Sequence, residues 1–120
     1  MTEYILLIPG NEATWDATSA EVKASTFEKH REFAKILDER GHKVTGGAEL
    51  TRANTAWVVS GSLDDVTVTA GPYAETVEQL TGFYVIESDD RDDLLRCVGK
   101  LAEGEAHLEL RECVDHSGDM

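Results

Sequence analysis

His30 is a candidate for proton transfer because of the position that its imidazole would take on a predicted helix. When the segment around His30 is wound as a helix at about 100° per residue, this side chain falls within an apolar stripe. The stripe consists of Phe27, Phe33, Ala34 and Leu37. The imidazole then faces a sheet or a cleft beside it, where burial and charge can shift its pKa across neutrality. Two interpretations stay open: a core group bonded to a backbone carbonyl, or a group that binds a ligand or transfers a proton.

Two carboxylates, Glu75 and Glu78, stand three residues apart in a segment that we call the Gly-Pro turn, residues 71–82. Pro72 restricts its own φ, and Gly71 can adopt uncommon angles. A helical turn would place both glutamates on one face, where they could divide acid and base work. The alternatives are a solvated face or charges favoured by a helix N-terminus. In the catalytic interpretation His30 moves a proton and Glu75 or Glu78 orients it.

Two aromatic side chains are candidates for binding a ligand. Tyr73 offers a ring and a hydroxyl within the Gly-Pro turn, and Trp15 lies in a polar connection after the first predicted strand. We expect a concave apolar pocket near both of them. Trp57, between other strand-forming residues, is interpreted as core or as a dimer interface.

Other chemistry has little support in the sequence. The four histidines lack ligand-like spacing, and Cys97 and Cys113 match no metal motif. The chain has neither a nucleophile-elbow pattern nor a phosphate-binding glycine loop between a strand and a helix. We expect no metal, no cofactor and two free thiols in a reducing compartment.

The predicted elements form one α+β domain over residues 1–114, followed by a disordered tail over 115–120. Strands are predicted over 4–8, 43–50, 55–60, 66–69, 83–87 and 107–111, and helices over 19–40 and 91–102. A capping box from Thr18 to Glu21 begins the first helix, and Gly41 ends it. This order is simplest as a ferredoxin-like βαββαβ variant.

The predicted strands over 4–8 and 83–86 are almost wholly apolar, without alternation. Such strands require cover on both faces, and two helices on one side shield only one of them. A second copy of the chain is the simplest cover for the other face, which predicts a homodimer with sheets packed face to face. The alternative is that the loop over 9–18 lines this face.

The charge distribution excludes some partners. The net charge is -13, and residues 61–120 hold 15 of the 24 acidic and 4 of the 11 basic residues. This acidity disfavours nucleic acid and anionic membranes, which attract clustered basic residues. The apolar run over 4–8 ends at Pro9-Gly10, too short for a signal peptide or a membrane span, so we expect a cytoplasmic protein.

The stretch from Gly71 to Ile86 resembles the signature of the DGPF-domain branch of the YCII-related proteins, Asp-Gly-Pro-Phe-Ala-Glu-Thr-Lys-Glu-x-Leu-x-Gly-Phe/Tyr-Tyr. The spacing of His30, Phe33, Ala34, Leu37 and Gly41 is similar to that of the family's helix, and the resemblance extends over about residues 3–112. It implies a dimeric α/β barrel built on a ferredoxin-like fold. It also implies that His30 is the histidine that the family pairs with an acid in its proposed active site.

Three positions depart from the family pattern. Ala70 replaces the Asp that opens the motif, Tyr73 replaces Phe, and Val77 replaces Lys. If that Asp acts as a base or ligand in the family, this chain lacks it. Because the family's biochemical role is undefined, three hypotheses remain: a small-ligand-binding or accessory domain with a cleft between helix and sheet gated by the Gly-Pro turn, a cofactor-free enzyme, or a regulatory protein-interaction domain.

Overall fold

A computed structural model describes residues 1–103 and 107–118. The chain forms β1 (Thr2–Gly10), α1 (Glu12–Ala17), α2 (Ala20–Glu39), β2 (Lys43–Glu49), β3 (Trp57–Ser62), β4 (Asp65–Ala70), β5 (Gln79–Ser88), α3 (Arg91–Ala102) and β6 (Glu109–Glu112), with a 3₁₀ turn at Ala53–Thr55. None of the helices in these residues combines the length and apolarity needed to cross a membrane. Of the tail predicted over 115–120, residues 119 and 120 lie outside the described part.

Four strands form one antiparallel sheet in the order β2-β5-β1-β6. Strands β3 and β4 pair only with each other, as a separate hairpin inserted between β2 and β5. Without this insertion and the short helix α1, the element order is βαββαβ, so the α+β architecture is compatible with a ferredoxin-like fold.

The core lies between one face of the four-stranded sheet and helices α2 and α3. Alternate residues of β1 and β5 point toward the helices, while their neighbours point to the opposite face. The buried core residues are Tyr4, Leu6, Phe33, Leu37, Ile86, Leu94, Cys97, Val98 and Leu101. Both helices therefore cover the same face, as the sequence predicted for two helices and one sheet.

The segment around Trp15 corrects the prediction of a polar connection, because residues 12–17 form α1. The Asn11 side chain accepts a hydrogen bond from the Thr14 N–H and caps this helix. Thr18 ends α1, and its hydroxyl donates to the Thr14 carbonyl. Ser19 instead caps α2 by accepting from the Val22 N–H, so the predicted cap at Thr18 is wrong by one residue.

Strand β2 contains a β-bulge, since its register against β5 shifts between Val44 and Gly46. Gly47 has φ 147°, and a Cβ there would lie 2.6 Å from the Phe83 carbonyl oxygen. Glycine is thus required where the backbone of β2 closely approaches that of its neighbour β5.

The Gly-Pro turn contains no helix in residues 71–78, so the helical arrangement considered for Glu75 and Glu78 is wrong. Gly82 lies within β5, paired with Ile8 and Glu49. A side chain there would crowd the Ala48 carbonyl at 3.0 Å, which explains a glycine inside a central strand.

Candidate functional site

His30 and Tyr84 bring the helix and the sheet together. Helix α2 places His30 over β5, where its Nδ1 lies 2.8 Å from the Tyr84 hydroxyl oxygen. The two rings stack at 28° with centroids 5.9 Å apart, and Phe33 packs edge-on against Tyr84. The phenol can donate to a neutral imidazole or accept from a protonated one. This half-buried pair can therefore hold a proton between two groups, and sequence reasoning identified only its histidine.

The two glutamates lie elsewhere. Glu78 Oε2 is 3.3 Å from His107 Nε2, and both side chains are largely exposed. Glu75 is also exposed and lines a depression beside the Gly-Pro turn. Among the described residues, neither glutamate lies within hydrogen-bonding distance of His30. The structure does not assemble the three predicted catalytic residues into one cluster.

Two adjoining depressions flank the Gly-Pro turn. The larger, of about 430 Å³, is lined by residues from segments 11–13, 53–54 and 72–79. The smaller, of about 320 Å³, is lined by residues from segments 50–56, 72–73 and 79–80. They share Ala53, Pro72 and Gln79, so one continuous surface runs along both sides of the turn.

Hydrogen bonds and an ion pair hold the walls of these depressions in place. The Ala53 N–H donates to Glu12 Oε2 over 2.9 Å, and Arg52 forms an ion pair with Asp16 of α1. The hydrogen bond from Arg52 also holds the pKa of the Asp16 carboxyl below its usual range. Within the turn, Gln79 Nε2 donates to the Ala74 carbonyl over 3.0 Å. The surface is thus organised before any ligand arrives.

The two predicted ligand-binding aromatics occupy different places. Tyr73 is exposed and lines the smaller depression. Trp15 packs edge-on against Phe27 with centroids 5.8 Å apart, and the Lys23 ammonium lies 5.3 Å from its ring centre. Trp15 lines neither depression. In the structure it joins α1 to α2 by aromatic and cation–π contacts.

The structure contains a second polar cluster, which the sequence did not predict. His42 is buried, with Nδ1 2.7 Å from Ser88 Oγ and Nε2 2.8 Å from Asp93 Oδ2. Arg40 donates to the other oxygen of Asp93 over 2.9 Å, and the Asp90 N–H donates to Ser88 Oγ. We call His42, Ser88 and Asp93 the His42 network. It joins the start of β2, the end of β5 and the first turn of α3.

The His42 network has the residue types of a hydrolase triad, but its serine lacks the access to substrate that such a triad requires. Ser88 is only 1% exposed, so its hydroxyl cannot attack a substrate. Every hydrogen bond in the network is made within the protein, and among the described residues no buried side-chain nitrogen or oxygen lacks a partner. The arrangement therefore stabilises the fold and does not form a reaction site.

The same region holds the one group of potential metal ligands among the described residues. His42, Asp93 and Cys97 place their ligating atoms within 4.8 Å of one another. However, the Arg40 guanidinium binds the Asp93 carboxylate and would repel a cation. Burial also raises the pKa of the Cys97 thiol, which disfavours the thiolate that binds metals. The cluster is suited to an ion pair more than to a metal.

A sequence signal for this cluster existed but was weak. Asp93 and Cys97 lie four residues apart and share a face of α3, while His42 directly follows the glycine that ends α2. Since 51 residues separate His42 from Asp93, only the tertiary structure brings them together.

Comparison with known families gives one result that covers nearly the whole chain. A model of the YCII-related domain matches residues 2–116. No curated protein matches the chain. The match includes the His30–Tyr84 pair, the Gly-Pro turn and the His42 network, and it confirms the resemblance seen in the sequence. The chain belongs to the YCII-related domain family.

Proposed function

We propose that this protein binds a small ligand along the Gly-Pro turn and acts as a ligand-binding or accessory domain. The observation that carries the proposal is the continuous surface formed by the two depressions around Ala53, Pro72 and Gln79. Their volumes of about 430 and 320 Å³ fall within the usual range for small-molecule sites.

The lining indicates the class of ligand. The larger depression combines apolar groups such as Pro72 and Val77 with amide side chains such as Asn54. Among the described residues that line this larger depression, the charged ones are Glu12 and Glu75, and no lining residue is basic. Arg52 lines the smaller depression but is ion-paired with Asp16. A neutral or cationic ligand with an apolar body is therefore favoured over an anion.

A filling substitution tests the site. A panel of small neutral and cationic compounds is first screened by thermal shift, and hits are measured by calorimetry. Ala53→Phe projects a ring from the wall that both depressions share and should raise the Kd of a hit at least about 10-fold. Ala24→Phe adds the same ring on the exposed side of α2 and should leave the Kd within about 2-fold. Unchanged affinity in Ala53→Phe would refute the proposed location.

A second candidate is a cofactor-free enzyme in which His30 transfers a proton, and the 2.8 Å contact with Tyr84 favours it. In this case a bound hit is a substrate or an analogue, and Tyr84→Phe should change the pH profile of turnover by removing the hydroxyl that orients the imidazole. Turnover that is unaffected by both His30→Gln and Tyr84→Phe would exclude this candidate. The two variants leave the depressions at the Gly-Pro turn intact, so the binding proposal is tested separately.

A further inference from the structure

The two depressions along the Gly-Pro turn have different linings. The larger depression carries two carboxylates, Glu12 and Glu75, beside the side-chain amides of Asn11 and Asn54. The smaller depression is lined mainly by apolar and hydroxyl-bearing side chains. Because the depressions adjoin, a single ligand can lie across both of them and present a different chemical group to each.

Glu75 supplies a negative charge that the protein itself does not neutralise. Glu12 Oε2 already accepts a hydrogen bond from the Ala53 N–H and holds the wall of the larger depression. Glu75, by contrast, is exposed and has no hydrogen-bond or ion-pair partner among the described residues. The net charge of -13 adds a long-range attraction for ligands of the opposite sign. A cation can therefore bind beside Glu75 without displacing a basic side chain.

The smaller depression offers an apolar surface instead. Leu50, Leu80 and Tyr73 line it and are 40%, 45% and 94% exposed. Arg52 is the charged residue among its described lining residues, and the guanidinium is neutralised by Asp16. An alkyl or aryl group that covers the exposed apolar side chains removes apolar surface from water, which favours binding.

We propose that the ligand is an amphiphilic amine, in which a primary ammonium group is attached to an alkyl or aryl body. The ammonium group lies in the larger depression and donates a charge-assisted hydrogen bond to the Glu75 carboxylate. An ammonium has three donors, so the side-chain oxygen of Asn54 can accept another of them. The apolar body lies in the smaller depression, against Leu50, Tyr73 and Leu80. This inference rests on the proposed ligand binding and names the class of its ligand.

Hexylamine, hexanol and hexanoate separate the effect of the charge from that of the apolar body. Each probe is titrated into isotope-labelled protein, and the NMR shifts of the Ala53 and Gln79 amide signals give both the Kd and the location. Hexylamine should bind at least about 3-fold more tightly than hexanol, and hexanoate should bind most weakly because the acidic surface repels it. Hexanol or hexanoate binding as tightly as hexylamine would overturn the proposal, as would hexylamine that does not saturate the protein by about 10 mM.

A matched pair of variants tests whether Glu75 binds the ammonium group. Glu75→Gln and Glu78→Gln each remove one carboxylate from the same exposed turn, but only Glu75 is among the residues that line a depression. Glu75→Gln should raise the Kd of hexylamine about 3- to 5-fold and leave that of hexanol within about 2-fold. Glu78→Gln should leave the Kd of both probes within about 2-fold. Equal effects of the two variants on hexylamine, or an equal effect of Glu75→Gln on both probes, would contradict this role.

The length of the alkyl chain tests the smaller depression. Between butylamine and hexylamine, each added methylene should lower the Kd about 2- to 3-fold, because it covers further apolar surface. Tyr73→Ser removes an exposed ring from this wall and should reduce the gain per methylene. A gain that Tyr73→Ser leaves unchanged would place the apolar body elsewhere and contradict the proposal.

The experiments distinguish a wrong ligand class from a wrong binding site. If a hit from the compound panel is weakened by Ala53→Phe but hexylamine binds no better than hexanol, the site is supported and the amine class is wrong. If Ala53→Phe leaves the Kd of hexylamine unchanged, the amine binds elsewhere on the protein and both proposals fail. Weaker hexylamine binding in both Ala53→Phe and Glu75→Gln, with hexanol affected only by the former, supports both.

Discussion

Replacing His42 by Leu tests whether the His42 network holds the fold together. The change removes the partner of Ser88 Oγ at 2.7 Å and of Asp93 Oδ2 at 2.8 Å. Ser88 is buried, so its hydroxyl loses a hydrogen bond without gaining water, at a cost of roughly 1–3 kcal/mol. The different shape of leucine in a packed site adds about 1 kcal/mol. Asp93 keeps Arg40 and some contact with water, so it adds little.

The total is about 3 kcal/mol of unfolding free energy, which corresponds to a fall in Tm of roughly 12 °C for a chain of 120 residues. Calorimetry and urea unfolding measure both quantities. The exposed His107→Gln serves as the control and should change the stability by less than about 0.5 kcal/mol. A His42→Leu protein with wild-type Tm would refute this reasoning.

Three further predictions follow from individual positions. The hydrogen bond from His42, with the nearby Arg40 charge, holds the pKa of Asp93 below its usual range. The folded state thus binds this proton less readily than the unfolded state, so the contribution of Asp93 is present above pH 4 or so and is lost as the pH falls through the lower folded pKa. Asp93→Asn should flatten the dependence of Tm on pH in this acidic window. Gly47→Ala should destabilise the fold by about 1–3 kcal/mol in urea unfolding, because φ is 147° and a backbone oxygen blocks the Cβ. Burial raises the pKa of the Cys97 thiol, so native iodoacetamide labelling followed by mass spectrometry should spare Cys97 until urea is added.

Each of these has a control in the same chain. Asp64→Asn removes a carboxylate from the exposed hairpin turn and should leave the slope of Tm against pH unchanged. Gly99→Ala lies in α3 with no atom within 4 Å of the new Cβ and should stabilise the protein by about 0.5–1 kcal/mol. Equal slopes for the two Asn variants, equal stability for the two Ala variants, or native labelling of Cys97 as fast as in urea would each contradict the corresponding argument.

The main elements were predictable because their signals are local. Neighbouring residues alone indicate the apolar run in β1, the long amphipathic helix α2 and the glycine that follows it. Both strands of the hairpin were also predicted, from two strand-forming runs. By contrast, α1 has only six residues, too few to show a helical period, and depends on the Asn11 cap. Thr18 was assigned as the cap of α2 because its competing bond to the Thr14 carbonyl is invisible in the sequence.

The candidate site was predictable in part. The apolar stripe on α2 correctly predicted that His30 faces the sheet. Its partner Tyr84 lies 54 residues away in the sequence and was not predicted. In the catalytic interpretation Glu75 or Glu78 was expected to orient His30. The Gly-Pro turn instead forms non-helical bends that leave Glu75 at the depression and Glu78 beside His107.

By itself the sequence determined the strands, the helices α2 and α3, the alternation that makes the hairpin amphipathic, the uneven acidity and the family. These depend on the periods of side chains along a backbone and on short motifs. Only the tertiary structure decided that Tyr84 meets His30, that Ser88 and Asp93 enclose His42, and that the hairpin projects from the sheet. The physical reason is that such contacts depend on strand register and helix placement, which are set by the packing of the whole core and not by any one segment.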